Sequence, residues 1–388
     1  MAKKSTGPSG PETLISSVVA AAALARSAGS LAGSPRPTGS TRGATGARNR
    51  QGRPDLSRDP RDTVADDRRR ARQPGRGRQA DSPTEIPAKG WKDIAKRVLS
   101  EVKDDNVPLL SAGVAFYSLL SLFPALVALV SIYGLVADPS EVSTQLESLT
   151  KAMPSQAADL ITTQVKDVVS SSSGALGISV VIGIVVALWS ASSGMKWLLS
   201  ALSLVYDQRE DRKFLKLRGT ALILTVGAAI GMVISIGLIA AMPPIARSIG
   251  LGSTGALVAG ILKWPILAAL VVGGLTVLYR YGPNRDAAKW TWVTWGSGIA
   301  AIIWLVASIG FAIYAAVAGS FSESYGSFAA IIVLMLWLFL SVLAVLIGAE
   351  INSEMEHQTA KDTTEGRPMP MGHRRATVAD EVAPAATE

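Results

Sequence analysis

Residues 326–350 read GSFAAIIVLMLWLFLSVLAVLIGAE, a run in which the first charged residue is the last one, Glu350. At about 1.5 Å of rise per residue, roughly 20 such residues in a helix cross the ~30 Å hydrocarbon core of a bilayer. Moving outward from this stretch, five more of the same kind occupy Leu109–Val136, Ala175–Leu199, Gly219–Ile245, Gly255–Leu278 and Thr291–Ala318. All are rich in Leu, Ile, Val and Ala and nearly free of charge at their centres. The expected fold is therefore all-α, a polytopic membrane protein with six transmembrane helices.

Composition sharpens this reading by where residues fall. Hydrophobic residues make up 48% of the 388 residues, but the large aliphatic ones concentrate in residues 91–356. Residues 1–90 are rich in Gly, Ser, Pro, Thr and Arg and bury too little apolar surface to offset ordering, so they are expected to be a disordered tail. Residues 357–388 are expected to be a second disordered tail. The Ala-rich run Leu14–Ala25 behind Lys3 and Lys4 has the outline of a secretory signal. That reading would export the Arg-rich tail, against the topology below, and a short surface helix is preferred. There is no cysteine, hence no disulfide, thiolate metal site or thiol nucleophile. The two histidines, His357 and His373, both follow the last apolar stretch.

Charge orients the chain. Residues 206–218 carry Arg209, Arg212, Lys213, Lys216 and Arg218; residues 279–290 carry Arg280, Arg285 and Lys289; the approach to the first span carries Lys89, Lys92, Lys96, Arg97 and Lys103. The alternate connections are poor in Lys and Arg. Positive loops stay inside, which places both termini in the cytoplasm. Trp91–Asp105 has an apolar face of Trp91, Ile94, Ala95, Val98 and Val102; it suits either the membrane interface or packing on the other cytoplasmic loops. Residues 141–173 read as an extracytoplasmic helical hairpin broken at Pro154.

Inside lipid, polar and kink-forming residues carry the information. The first span has Ser111, Ser118 and Ser121 ahead of Pro124, which frees a carbonyl near Leu120 and predicts a kink that the serines help to satisfy. The second ends WSASSGMKWL, where Ser190, Ser193 and Gly194 allow close helix approach; Gly227, Gly231 and Ser235 repeat that spacing in the third. Pro243–Pro244 are expected to end or bend the third span, and Trp264–Pro265 to mark the outer end of the fourth. Gly282–Pro283–Asn284 predicts a sharp turn after Arg280. Glu350 is an acid in an apolar helix, and Arg280, at the same depth, is its expected partner. Arg285 and Glu323 read as ordinary loop charges, where substitutions should matter less than at Arg280 or Glu350. No phosphate-binding glycine loop, zinc-protease or nucleophile-elbow motif and no clustered carboxylates or histidines occur, so the sequence supports no catalytic, cofactor-binding or metal site and no enzyme.

The blocks SAGVAFYSLLSLFPALVAL, LWSASSGMKWLLSALSLVYDQREDRKFLKLR, YRYGPNRDAAKWTWVTWGSGIAAIIW and SESYGSFAAIIVLMLWLFLSVLAVLIGAEIN together resemble the YihY/virulence factor BrkB family, over about Trp91 to Glu356. The resemblance implies a six-span inner-membrane protein in which Pro124, Tyr279, Arg280, Pro283, Asn284, Tyr325, Gly326, Trp337, Gly348 and Glu350 occupy recurrent positions. It also implies an envelope role, with export of a lipid or another envelope component among the activities linked to the family; a ribonuclease label once given to some members is regarded as mistaken. Two functional expectations follow. One is a transporter, a flippase-like exporter of a lipid or amphiphile, with membrane lipids as its surroundings. The other is a non-transporting scaffold whose basic tail recruits cytoplasmic partners. The tail lacks interleaved aromatics, so specific nucleic-acid binding is not expected.

Overall fold

The computed structural model describes residues 60–136, 177–248, 252–317 and 328–385, all within a single unit of residues 46–388. Every extended element among them is helical: α1 (Pro60–Arg70), α2 (Ala88–Asp104), α3 (Val107–Val136), α4 (Gly177–Val205), α5 (Phe214–Ser248), α6 (Gly252–Tyr281), α7 (Trp290–Val317), α8 (Phe328–Gln358) and the short α9 (Thr377–Asp380). No strand is formed among the described residues; a single antiparallel bridge joins Ala288 and Thr364. Four helices are long and apolar enough to cross a membrane: α5 over Phe214–Ser235, α6 over Gly260–Tyr281, α7 over Trp290–Tyr314 and α8 over Ile331–Gln358. The chain is a multi-pass membrane protein. The expected hairpin at 141–173, the run Leu14–Ala25 and the site candidates Tyr325 and Gly326 lie outside the described residues.

The long helices form a ring in which each packs on its neighbour in sequence, α8 closes back onto α3, and α8 also touches α4. Packing is concentrated at one end. Val107 and Val114 of α3, Leu199, Leu202 and Val205 of α4, Leu278 and Tyr279 of α6, Val293 of α7 and Leu346 and Ala349 of α8 make one buried cluster there. Farther along, Ile230 and Val233 of α5, Ile261 and Trp264 of α6 and Ile313 of α7 are exposed, as expected of side chains that meet lipid.

Helix ends differ from expectation in a consistent way. Helix α5 runs on past Pro243 and Pro244 to Ser248, and Pro265 lies inside α6. Neither pair ends its helix, because an apolar helix in lipid has no water to receive freed backbone groups and keeps its remaining bonds. Helix α3 likewise continues through Pro124. Its serines bond their own helix one turn back, Ser111 to the Val107 carbonyl (2.8 Å) and Ser121 to that of Ser118 (2.9 Å), rather than the carbonyl near Leu120.

The described parts of both tails are folded, which corrects the expectation of disorder for residues 60–90 and 357–385. Ala80 and Ile86 pack with Ile94 and Val98 of α2, Trp292 of α7 and Met355 of α8. Arg97 of α2 bridges the ends: it pairs with Glu354, donates to Gln358 Oε1 (2.7 Å) and reaches the Pro384 carbonyl (3.2 Å). Gln358 donates to the Arg76 carbonyl (2.7 Å), and the Thr359 hydroxyl to that of Ala80 (2.8 Å). These segments are too polar to fold on their own apolar content. They order by bonding each other across the end of the bundle. Helix α2 thus buries Ile94 and Val98 in protein, with Trp91 and Val102 partly covered and Ala95 exposed, which favours the packed reading of Trp91–Asp105 over the interfacial one.

Candidate functional site

The polar end of the ring holds a dense buried network. Its frame is a close crossing of α7 and α8. A methyl at Gly296 would lie 2.4 Å from the Gly348 carbonyl, and one at Gly348 would lie 2.5 Å from the Ala300 methyl and 2.6 Å from the Tyr279 hydroxyl. Glycine at both positions lets the backbones meet. Asn352 then locks the crossing, accepting from the Gly296 amide (2.9 Å) and donating to the Val293 carbonyl (3.2 Å). Tyr279 donates to the Val345 carbonyl (2.7 Å), tying α6 to α8.

The turn after α6 caps this frame. Gly282 packs on Leu199 and Leu202 of α4, and its carbonyl accepts from Arg212 (2.9 Å). Past Pro283, the Asn284 amide donates to the Ser203 hydroxyl (3.1 Å) and its side chain to the Arg209 carbonyl (2.9 Å). The sharp turn expected at Gly282–Pro283–Asn284 is formed, and it joins the two basic loops. Ser203 also donates to Glu210 (2.9 Å). Burial alone would raise the Glu210 carboxyl, but Arg212 and Ser203 outweigh it and hold it below its ordinary range.

Arg280 and Glu350 do not pair. Arg280 donates to the Ala288 carbonyl and pairs with Glu365, with its guanidinium 4.4 Å from the Trp290 ring centre. The folded segment after α8 supplies the acid that Arg280 was expected to find in the membrane. The strongly bonded pair in this region is Arg285–Glu356, two parallel bonds of 3.0 and 2.6 Å between side chains only 2% and 0% exposed. Burial works against the Arg285 charge, yet the Glu356 carboxylate holds it above its ordinary range. Arg285 also lies 5.1 Å from the ring centre of Tyr206, whose hydroxyl burial pushes above its usual range.

Glu350 is left in an unusual position. It is 1% exposed, and its Oε1 has no hydrogen-bond partner. The charges acting on it most strongly are also acidic: Asp105, Glu354, Glu101 and Asp207. It lies two residues past Gly348, beside the α7–α8 crossing. Among the described residues, no group of three or more His, Asp or Glu is gathered closely enough to hold a metal ion.

The other candidates fall into separate groups. Ser118 and Ser121 of α3 meet α4 at Gly194, where a methyl would lie 2.9–3.0 Å from their hydroxyls and the Ser118 backbone; Pro124 is one turn further along α3, and Ser190 is half-buried one turn before Gly194. Ser193 accepts from Arg218 of α5 (3.1 Å). Trp337 meets Trp304 edge-on at 6.3 Å, and the Ser341 hydroxyl joins the Trp304 indole to the Trp337 carbonyl. The repeat Gly227–Gly231–Ser235 is not a seam: nothing lies within 4 Å of a methyl built at either glycine.

The family described as "Virulence factor BrkB" matches residues 98–371. The chain belongs to the BrkB family. The match takes in the whole α3–α8 ring, and it ends after Glu365, so the family segment includes the acid that pairs with Arg280. Among relatives, the chain is similar to YfkH of Bacillus subtilis (strain 168), whose name calls it ribonuclease-like: 30% identity over 63% of this chain and 88% of that one. A UPF0761 membrane protein of Tolumonas auensis is 37% identical over 25% of this chain and 32% of its own length. Another, from Laribacter hongkongensis, is 26% identical over 64% of this chain and 57% of its own. The chain thus spans under two thirds of the length of both these UPF0761 relatives. No solved structure matches.

Arg285, Glu356, Tyr206 and Arg97 were not singled out from sequence. One signal was available: after the apolar run, α8 continues as EINSEMEHQ, with Glu350, Glu354 and His357, and Asn352 and Glu356, at helical spacing. Polar residues repeating with the helix period past the end of a span mark a helix that enters a folded polar layer.

Proposed function

We propose that this BrkB-family protein is a transporter of the bacterial inner membrane that moves a lipid or other amphiphile, with six spans and both termini cytoplasmic. The observation that supports the reading is Glu350. A carboxyl group buried in an apolar helix without a cationic partner is costly, and in membrane proteins such groups mark sites that exchange a proton or meet a substrate. Among the described carboxyl groups, Glu350 alone has a buried oxygen without a hydrogen-bond partner, whereas Glu354 and Glu356 on the same helix are both bonded to arginine. The basic loops around Arg209–Arg218 and Arg280–Lys289 are tied together at one end of the ring, which suits a cytoplasmic position for that end.

The experiment is transbilayer movement of labelled lipids in proteoliposomes, comparing wild type with Glu350→Gln. The reading expects movement above empty vesicles, lost in the variant while the unfolding midpoint is kept. Absence of movement by the folded wild type would overturn it and leave the folded polar end as a platform for cytoplasmic partners.

A further inference from the structure

We propose that Arg218, at the start of α5, is the centre of a binding site for the phosphate of an anionic phospholipid on the outer face of the ring. The inference does not depend on transport, because the lipid it describes is a resident one. Arg218 is 7% exposed and forms no ion pair among the described residues. Its Nη2 donates to the Trp189 carbonyl (2.6 Å) and the Ser193 hydroxyl (3.1 Å), both neutral, while Nε is buried with no partner. Nη1 makes no bond to the chain and is not sealed off. A guanidinium held this way has its charge uncompensated by protein.

The surroundings fit a lipid headgroup. Arg218 is the fifth residue of the span that begins at Phe214, about 6 Å along the helix, which is headgroup rather than acyl-chain depth. Its guanidinium lies 4.7 Å from the Trp189 ring centre, and Phe214, one turn earlier on α5, meets the same indole at 6.1 Å. Trp189, Phe214 and Leu215 all present exposed apolar surface, as aromatic and aliphatic residues do at a membrane boundary. Lys213 and Lys216 flank them, exposed and without acidic partners among the described residues. Basic side chains over an apolar, aromatic ledge recognise a phosphate joined to acyl chains, and Arg is suited to the phosphate because its remaining donors form a fixed fork.

The test uses the full chain purified in a neutral detergent. Phosphatidylglycerol, phosphatidylcholine and inorganic phosphate are added separately, and lipid retention is read by native mass spectrometry alongside the unfolding midpoint. Phosphatidylglycerol should be retained and raise the midpoint by about 3 °C or more, with phosphatidylcholine and phosphate without effect. Arg218→Gln should weaken retention roughly tenfold, Arg218→Lys should restore part of it, and Lys263→Gln, beside Trp264 and remote in sequence, should leave it unchanged. Equal retention of the two lipids by wild type overturns the proposal, and that arm holds even if Arg218→Gln fails to fold. Undiminished retention by a folded Arg218→Gln also overturns it, and a phosphate effect equal to that of phosphatidylglycerol would reassign the site to a soluble anion.

Discussion

At the scale of single residues, two of the three buried acids of α8, Glu350 and Glu356, have opposite roles. Glu356 is fully paired with Arg285, so Arg285→Ala strands a buried carboxylate and should cost about 3–5 kcal/mol, measured by unfolding the detergent-solubilised chain; an unchanged midpoint would remove the pair from the account of stability. Glu350→Gln replaces a buried ionisable group that no cation offsets, so the midpoint should hold or rise in the same assay. That Glu350 is an acid in an apolar helix is legible in the sequence; that Arg280 pairs with Glu365 instead, and that the loop residue Arg285 is buried against Glu356, is not. Depth along a helix is legible from residue counting; which acid each of two buried arginines five residues apart finds depends on the Gly282–Pro283–Asn284 turn between them and on acceptors 71 and 85 residues away. No local pattern encodes that.

At the scale of elements, glycine spacing shows what helix patterns can and cannot tell. Ser190 with Gly194, and Gly227 with Gly231, have the same interval of four. Gly194 is pressed against Ser118 and Ser121, and the second pair faces open space. The motif states that a helix permits close approach and is silent on what lies opposite. Gly296→Ala and Gly348→Ala should each cost about 1–3 kcal/mol by forcing the α7–α8 crossing apart, whereas Gly231→Ala should cost nothing measurable by the same unfolding assay. The tight link between α2 and α3 makes a further case: Asn106 is left-handed there (φ 52°). Asn106→Ala should destabilise by about 1 kcal/mol, while Asn106→Gly should be neutral or better; equal loss in both would point to the Asn side chain rather than the backbone. The apolar runs themselves were legible to within a few residues at the polar end, and least so where helices continue past Pro243–Pro244 or into the polar layer.

At the scale of the whole molecule, the polar layer is what composition concealed. Residues 60–85 and 357–385 look like solvated tails because their folding uses partners hundreds of residues away, such as Arg78 with the Gln358 carbonyl and Arg70 with the Val382 carbonyl. Asp67 gives this layer a pH signature. Burial pushes its carboxyl up to about 6, against the Val382 amide and Arg70, with Glu381 and His357 also near. The folded state therefore keeps a proton that the unfolded chain releases above its ordinary 3.8, and stability from this group falls as pH rises from about 4 to 6. Hydrogen exchange of residues 60–70 and 377–385 should slow on moving from pH 7 to pH 5, after correction for intrinsic rates, and Asp67→Asn should abolish the difference; exchange that quickens on acidification would reverse the assignment. The same layer also sets an order in time. Arg97 emerges from the ribosome some 250 residues before Glu354, so the helices of the ring up to the last are made while its guanidinium still waits in water, and residues from Glu354 onward are needed to latch the polar end. A chain stopped before Glu354 would be inserted and yet left unlatched, which would make the polar end a natural point at which a cell could recognise an unfinished copy.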